Sequence, residues 1–425
     1  MNRPQGTIGL RHVVAGVLLL LLLLEGVLRL VQAAVVTPPQ ILPADNVGWR
    51  PNPAYPEHDT RGWRNAAPLR EAEIVILGDS QTYGFNVVRK DAWPQQLSVM
   101  LDRSVYQMAA PGYGPAHYVP LLEEALALRP KVVIAAYYFG NDIYDSYSIV
   151  YGVDTVRTNG GVLDLFLSTD SRIRAALARA EILDPKLLRL QYLACNQAPA
   201  PGLDATQMMR GSLTRRERLQ PPGGQGALWR RPIRSITRHS AIVKALRWGL
   251  ARLVTNHRPP LEVKDYGPPL CIHYHDHQLR TVFAAGYRLI ALDDADPRIQ
   301  EGERISLDAL RYMAVRCRGM GIHFLVALIP TKETAFRARV EGTLREQLVL
   351  QDLWKAEARA RERTLTFFAH AGIGTADTLP DLADVIASGV NPYRDDDDGH
   401  PITPGYEAIA RAVAQRLAPE GVGHH

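Results

Sequence analysis

Three apolar runs in a regular rhythm constrain this chain most. They are "EIVIL" (Glu73–Leu77), "SVYQMA" (Ser104–Ala109) and "KVVIAAYYF" (Lys131–Phe139). The stretches between them, "DAWPQQLSVMLD" and "AHYVPLLEEALALR", space their apolar residues as helices do. The third run is apolar on both faces, which suits a strand buried within a parallel sheet. A β-α-β-α-β order with short connections predicts a doubly wound α/β fold. The rhythm returns late, with the helical pattern "ISLDALRYMAVRCRG" and the strand "IHFLVALIP". A long charged helix near "QLVLQDLWKAEARARER" follows, then a strand "TLTFFAHA" and a last helix, Pro404–Leu417.

Between about 146 and 293 the alternation fails. That stretch holds the helix candidates "SRIRAALARAEILD" and "HSAIVKALRWGLARLV" among loops rich in Pro, Gly and Arg. It reads as an insertion that splits one core into residues 70–150 and 290–418. A proline-rich segment, 37–69, reads as a linker ahead of the domain that spans 70–418.

The N-terminus carries its own signal. Arg3 and Arg11 precede "VVAGVLLLLLLL", the charge-then-apolar order of an export signal or a signal-anchor. The uncharged run covers about 18 Å as a helix, short of the ~30 Å hydrocarbon core. Apolar character resumes after Glu25, and Glu25 with Arg29 stands at helical i, i+4 spacing, where the two can pair. "VQA", Val31–Ala33, loosely resembles a cleavage site but lies far from the run. Residues 1–36 are therefore expected to be an uncleaved transmembrane anchor with the N-terminus in the cytoplasm. The body is expected to face the periplasm or the cell exterior, tethered to the inner membrane. In an oxidising compartment Cys195 and Cys271 can pair, while Cys317, in a helical pattern, is expected to be a buried core thiol.

Composition excludes little: 46% apolar and 22% charged residues fit a packed globular protein. The net charge of +5 includes arginine clusters, "LTRRERLQ" and "LWRRPIR", that fit a solvated face or an anionic surface or polymer. No zinc-finger or helix-turn-helix spacing argues for nucleic acid.

Ligands of open parallel sheets collect at the carboxyl ends of the strands. The first run ends in "GDS", with Ser80; the second leads into "APGYG", with Gly112; the third ends in "FGND", with Asn141. "RDDDDGH" precedes the terminal helix and supplies Asp397 and His400. A hydroxyl, a backbone N–H, an amide and an imidazole on one rim meet the needs of acyl transfer. Ser80 is a weak nucleophile until His400 takes its proton, and a carboxylate must hold the other ring nitrogen. Asp397, three residues before His400, is the expected acid, and Asp398 competes with it. The Ser80 N–H, the Gly112 N–H and the Asn141 amide are candidate oxyanion donors. Each residue also has a plain structural reading: Ser80 as a helix cap, Gly112 and Asn141 as turn residues, His400 as a cap. Asp79 and Asp142 are expected to shape their turns.

These four blocks, in this order, resemble those of the SGNH hydrolases, the GDSL esterase group. The resemblance covers about two thirds of the chain and leaves out the insertion. It implies a three-layer α/β/α, flavodoxin-like parallel sheet, with Ser80, Asp397 and His400 catalytic and Ser80, Gly112 and Asn141 forming the oxyanion hole. There are departures. Gly140 directly precedes Asn141 instead of standing one residue further back, and Gln81 replaces a leucine. Thr82 stands where a G-x-S-x-G elbow would need glycine. The anchor and the segment "LVALIPTKETAF" further resemble extracytoplasmic SGNH proteins of the alginate O-acetyltransferase kind.

The resemblance implies a serine-dependent ester hydrolase or O-acetyltransferase acting on acyl groups of a cell-surface polysaccharide, with no cofactor. Partners would be an acylated carbohydrate or other ester, the membrane, and a membrane acyl-donor protein. An inactive, membrane-tethered glycan-binding protein on the same fold is the rival expectation. A phosphate-binding flavodoxin-like module fits poorly, because "GDSQTYG" lacks the glycines and lysine of a phosphate loop. His273, His275 and His277 would share one strand face, but Asp276 points the other way, so a polar face is expected there and no metal.

Overall fold

The computed structural model describes residues 38–45, 47–152, 162–179 and 271–418, with scattered positions between 16 and 25. The chain divides into two compact units, 1–38 with 214–265, and 39–213 with 266–425. The described sheets and the candidate site all belong to the second.

That unit is built on five parallel strands: β3 (Ile74–Gly78), β4 (Val105–Ala109), β5 (Val132–Tyr138), β8 (His323–Ile329) and β9 (Gly374–Asp377). Their lateral order is β4-β3-β5-β8-β9. Counted along the chain this is 2-1-3-4-5, the flavodoxin-like order of a doubly wound sheet. Every residue of β3 and β5 is buried, so both faces of the sheet are covered and the unit has three layers. Among the helices, Trp93–Leu101 lies against Thr403–Leu417, and Asp142–Tyr151 lies against Pro297–Arg318.

Register places the site. Ile74 pairs with both Val105 and Val132, and Leu77 with both Met108 and Ala135. The three strands thus end within a residue or two of one another, on the same edge. Strand order reverses beside β3, and a crevice opens at such a switch point.

Several boundaries differ from expectation. "TLTFFAHA" is no strand; it is the last two turns of the helix Leu348–Ala371. Its buried residues Trp354, Glu357, Ala360, Arg361, Thr364 and Phe368 keep helical spacing, and that period outweighs the strand preference of Thr and Phe. The strand is the next segment, β9. "AHYVPLLEEALALR" is two short helices, Pro115–Tyr118 and Leu122–Leu126. Pro120 has no N–H to continue the first. The helix Asp142–Tyr151 runs past the expected start of the insertion at 146.

The described part of the expected linker, 38–45 and 47–69, is folded. β1 (Ile41–Ala44) and β2 (Gly48–Pro51) form a hairpin, and Trp63 is fully buried. Tyr106 Oη and the Asp59 carboxylate hydrogen-bond at 2.7 Å, and Arg64 donates to the carbonyls of Tyr83, Gly84 and Val87. This segment therefore braces the turn that follows β3.

A second hairpin, β6 (Ile272–His275) and β7 (Arg280–Phe283), presents His273 and His275 outward on one face, and His277 is also exposed. Asp276 is held by Arg339 at 2.8 Å and by Tyr274. Among the described residues no group of His, Cys, Asp or Glu is placed to hold a metal. Cys271 is disulfide-bonded, and Cys195, its expected partner, lies outside the described residues. Cys317 is a free thiol, fully buried. Among the described residues no helix is long and apolar enough to cross a membrane. Most of the anchor segment, both arginine clusters and "HSAIVKALRWGLARLV" lie outside them.

Candidate active site

β3 ends on Gly78 because nothing larger fits: a Cβ there would lie 2.1 Å from Thr82 Oγ1. The chain then turns on Asp79, whose carboxylate accepts from Gln81 N at 2.9 Å and caps the short helix Ser80–Tyr83. Ser80 is the first residue of that helix, 8% exposed, at the carboxyl edge of the sheet.

His400 comes to it from the opposite end of the chain. His400 Nε2 lies 2.9 Å from Ser80 Oγ, and His400 Nδ1 lies 2.5 Å from Asp398 Oδ1. A carboxylate only accepts, so Nδ1 carries the proton. Nε2 is then the acceptor, and Ser80 O–H donates to it. The Phe85 ring meets the imidazole edge-on at 5.1 Å between centroids.

The acid at the ring is Asp398, not Asp397. The loop turns so tightly that Asp398 Oδ1 also accepts the backbone N–H of His400, at 2.9 Å. This Asx-type turn closes with one intervening residue and leaves no place at the ring for a carboxylate three positions back. Asn86 Nδ2 donates to the other oxygen, Asp398 Oδ2, at 3.0 Å. Burial pushes the Asp398 carboxyl upward, but the hydrogen bond and charge of His400 outweigh it and hold the group well below the ordinary carboxylate range. It is a carboxylate at neutral pH.

The other expected residues stand at the ends of the neighbouring strands. Gly112 follows β4 with φ +75°, a left-handed conformation that favours glycine, and lies under the Trp49 ring. Trp49 is held by its Nε1–H, which donates to the Pro111 carbonyl at 2.9 Å. Asn141 follows β5 as the cap of Asp142–Tyr151, and its amide is bound by the Asp145 carboxylate. Asp142 shapes that turn, accepting from Tyr138 N at 2.9 Å. Burial and the nearby Asp79 charge raise the Asp142 carboxyl well above its ordinary range.

Asp79 also approaches the Ser80 hydroxyl, at 3.3 Å from Oγ. Burial pushes it up to about 6, against the charge of His400 and the hydrogen bond from Gln81 N. Gln81, where the resembled family has leucine, donates from Nε2 to the Gly399 carbonyl at 3.3 Å. The departure thus has a local job in fixing the histidine loop. Gln81, Asn86 and Asp145 were not among the expected site residues. Each is a common turn or helix residue, and nothing local in the sequence marks it.

Chemically, the arrangement is an alcohol hydrogen-bonded to an imidazole that a carboxylate orients. Two strand ends beside it carry further N–H donors. Such a set can deprotonate the alcohol as it attacks an electrophilic carbon.

No family model matches this chain. No curated protein matches it either. Solved structures similar to it include a protein assigned to the G-D-S-L lipolytic family from Desulfitobacterium hafniense DCB-2. That likeness has 10% identity and a TM-score of 0.35, and covers 82% of this chain and all of that one. Another is LAE5, an alpha/beta hydrolase enzyme from the metagenome of Lake Arreo, Spain, with 11% identity and a TM-score of 0.30, covering 82% of this chain and 96% of that one.

Proposed function

We propose that this protein is a serine-dependent carboxylic-ester hydrolase or O-acyltransferase that works through an acyl-Ser80 intermediate. The observation that carries the reading is the chain of contacts Ser80 Oγ to His400 Nε2 at 2.9 Å and His400 Nδ1 to Asp398 Oδ1 at 2.5 Å.

As Ser80 Oγ attacks the ester carbonyl, its proton passes to His400 Nε2, and Asp398 balances the imidazolium. The carbonyl oxygen gains the electron pair and is met by donors from the strand ends: the Ser80 and Gly112 N–H groups and the Asn141 amide. Collapse of this intermediate expels the alcohol, which takes the proton from Nε2 and leaves acyl-Ser80. An acceptor hydroxyl then repeats the sequence in reverse. Water as acceptor makes a hydrolase; a sugar hydroxyl makes a transferase.

In this reading the protein acts outside the cytoplasm, anchored by its N-terminal apolar run, on acyl groups of a surface polysaccharide. The run's charge-then-apolar order and the disulfide at Cys271 support that setting.

The test is labelling by a fluorophosphonate serine probe. Wild type is expected to react, and the Ser80→Ala and His400→Ala variants to stay unlabelled. Equal labelling of Ser80→Ala would overturn the assignment. Nitrophenyl acetate turnover with and without added polysaccharide then separates the two acceptors.

A further inference from the structure

The segment carrying Asp398 and His400 belongs to no helix or strand; an isolated bridge, Tyr393 to Pro401, closes it. Its backbone is held from outside. Lys332 Nζ donates to the Asp396 carbonyl at 2.6 Å and to the Asp398 carbonyl at 3.2 Å. Gln81 Nε2 takes the Gly399 carbonyl at 3.3 Å, and Asn86 Nδ2 the His400 carbonyl at 3.2 Å. Of these three side chains only Lys332 spans two carbonyls, those of the residues on either side of Asp397.

Lys332 is an unusual residue to find there. It stands two residues beyond Pro330, just past the end of β8, and opens the helix Lys332–Ala335. It is 0% exposed. A lysine ammonium is strongly hydrated, and burying it is costly unless partners replace the water. The partners are the two carbonyls, the Tyr393 ring 5.9 Å from Nζ, and acidic groups close by. Those acids are Glu333 on its own helix and Asp396, Asp397 and Asp398 on the loop. Arg288, from the helix Ala285–Ile290, faces Glu333 and Asp398 as well and adds a second buried cation. Burial pulls the Lys332 amine down to about 8 against the pull of these acids, so it is mostly protonated at neutral pH.

The direction of the hydrogen bonds is the informative part. Neutralising the acidic run would only require the ammonium to meet a carboxylate. The side chains of Asp395 and Asp396 already have such cations: Arg280 at 2.5 Å and Arg394 at 2.8 Å. Lys332 bonds the main chain instead.

We propose that Lys332 is a positioning residue of this site, whose ammonium fixes the 396–398 backbone and so sets the Asp398 carboxylate against the His400 ring. The kinetic part rests on the ester-chemistry reading above; the geometric part does not.

The experiment uses two variants of the full chain. Lys332→Met fills the space without charge, and Lys332→Gln keeps a donor. The first readout is the low-field proton resonance expected from Nδ1–H of His400 when bound to Asp398, assigned by its absence in His400→Ala. It is expected to vanish in Lys332→Met and weaken in Lys332→Gln, while circular dichroism stays native. The second readout is nitrophenyl acetate turnover, where kcat is expected to fall on the order of 10–100-fold in Lys332→Met with KM within about twofold. The third is a double-mutant cycle with Asp398→Asn, which should cost far less in the Lys332→Met background than in wild type. An unchanged resonance with kcat within about twofold, or fully multiplying losses, would overturn the proposal. Should Lys332→Met fail to fold, Lys332→Gln answers the same questions. Should Ser80 prove unreactive, the ester reading falls while the resonance still decides the role of Lys332.

Discussion

Asp398 Oδ1 receives two hydrogen bonds from His400, one from its backbone N at 2.9 Å and one from its ring Nδ1 at 2.5 Å. One oxygen thus fixes both the turn and the ring. The carboxylate cannot drift without opening the turn, and the ring cannot rotate without losing its only anionic partner among the described residues. In the proposed chemistry this doubles the demand on Asp398.

Asp398→Asn and Asp397→Asn should therefore differ widely. The first keeps the shape of the turn but presents the wrong donor pattern to Nδ1. Turnover of nitrophenyl acetate is expected to fall by about 10³–10⁴ in kcat. The second removes a half-exposed charge that does not touch the ring, and kcat should stay within about threefold. Comparable losses in the two variants would assign the acid wrongly.

The parts of this site readable in the sequence are those tied to periodicity. β3, β4, β5 and β8 stand where their apolar runs stand, and parallel order alone brings their carboxyl ends to one edge, so the placement of Ser80, Gly112 and Asn141 after strand ends on that edge is legible. The acid was not. Four consecutive aspartates offer the same chemistry, and only the local turn, with Asp398 capping the His400 N–H, selects one. Lys332 lies in the segment "LVALIPTKETAF", yet it bonds a loop more than sixty residues further on, a contact no local pattern encodes. The misplaced fifth strand has a different cause: Thr364 and Phe368 favour strands locally, and the buried helical stripe that overrules them is set by packing.

Asn141 should show a transition-state effect. Its amide is held by Asp145, so the donor is oriented in advance and costs little to aim. Asn141→Ala is expected to lower kcat about 10²-fold, near 3 kcal/mol, with KM little changed. Steady-state kinetics on a small acetate ester decide this. A loss confined to KM would place Asn141 in substrate binding and remove it from the oxyanion site.

Asp79 gives a pH signature in stability. Its folded value of about 6 lies above the ordinary unfolded value near 3.9. The folded protein therefore holds this proton more tightly. The favourable contribution is complete below about pH 4 and is lost as pH rises through about 6. Asp79→Asn keeps an acceptor for the Gln81 N–H and cannot ionise. Relative to wild type the variant should gain stability between pH 4 and 7, up to about 3 kcal/mol. Melting temperatures of both proteins across that range test it; a difference that does not change with pH would show that Asp79 ionises normally.

The last prediction concerns what holds the Asn141 helix in place. Asp142–Tyr151 packs on Pro297–Arg318, and Gly302 faces the Ile143 backbone across that contact. A Cβ on Gly302 would lie 2.2 Å from the Ile143 carbonyl oxygen and 3.2 Å from Tyr147 Cβ. The oxygen belongs to the backbone of the facing helix, so it cannot swing aside; the helices must separate. Gly302→Ala is expected to cost about 1–3 kcal/mol despite the better helix propensity of alanine. Gly342→Ala, where a Cβ meets nothing within 4 Å, is the control and should stay within about 0.5 kcal/mol. Because Ile143 is two residues from Asn141, the shift reaches the proposed oxyanion donor. Gly302→Ala should lower kcat as well as the melting temperature, and Gly342→Ala neither. A loss of stability with kcat intact would mean that the Asn141 turn is held by Asp145 and Asp142 alone, independently of the helix contact.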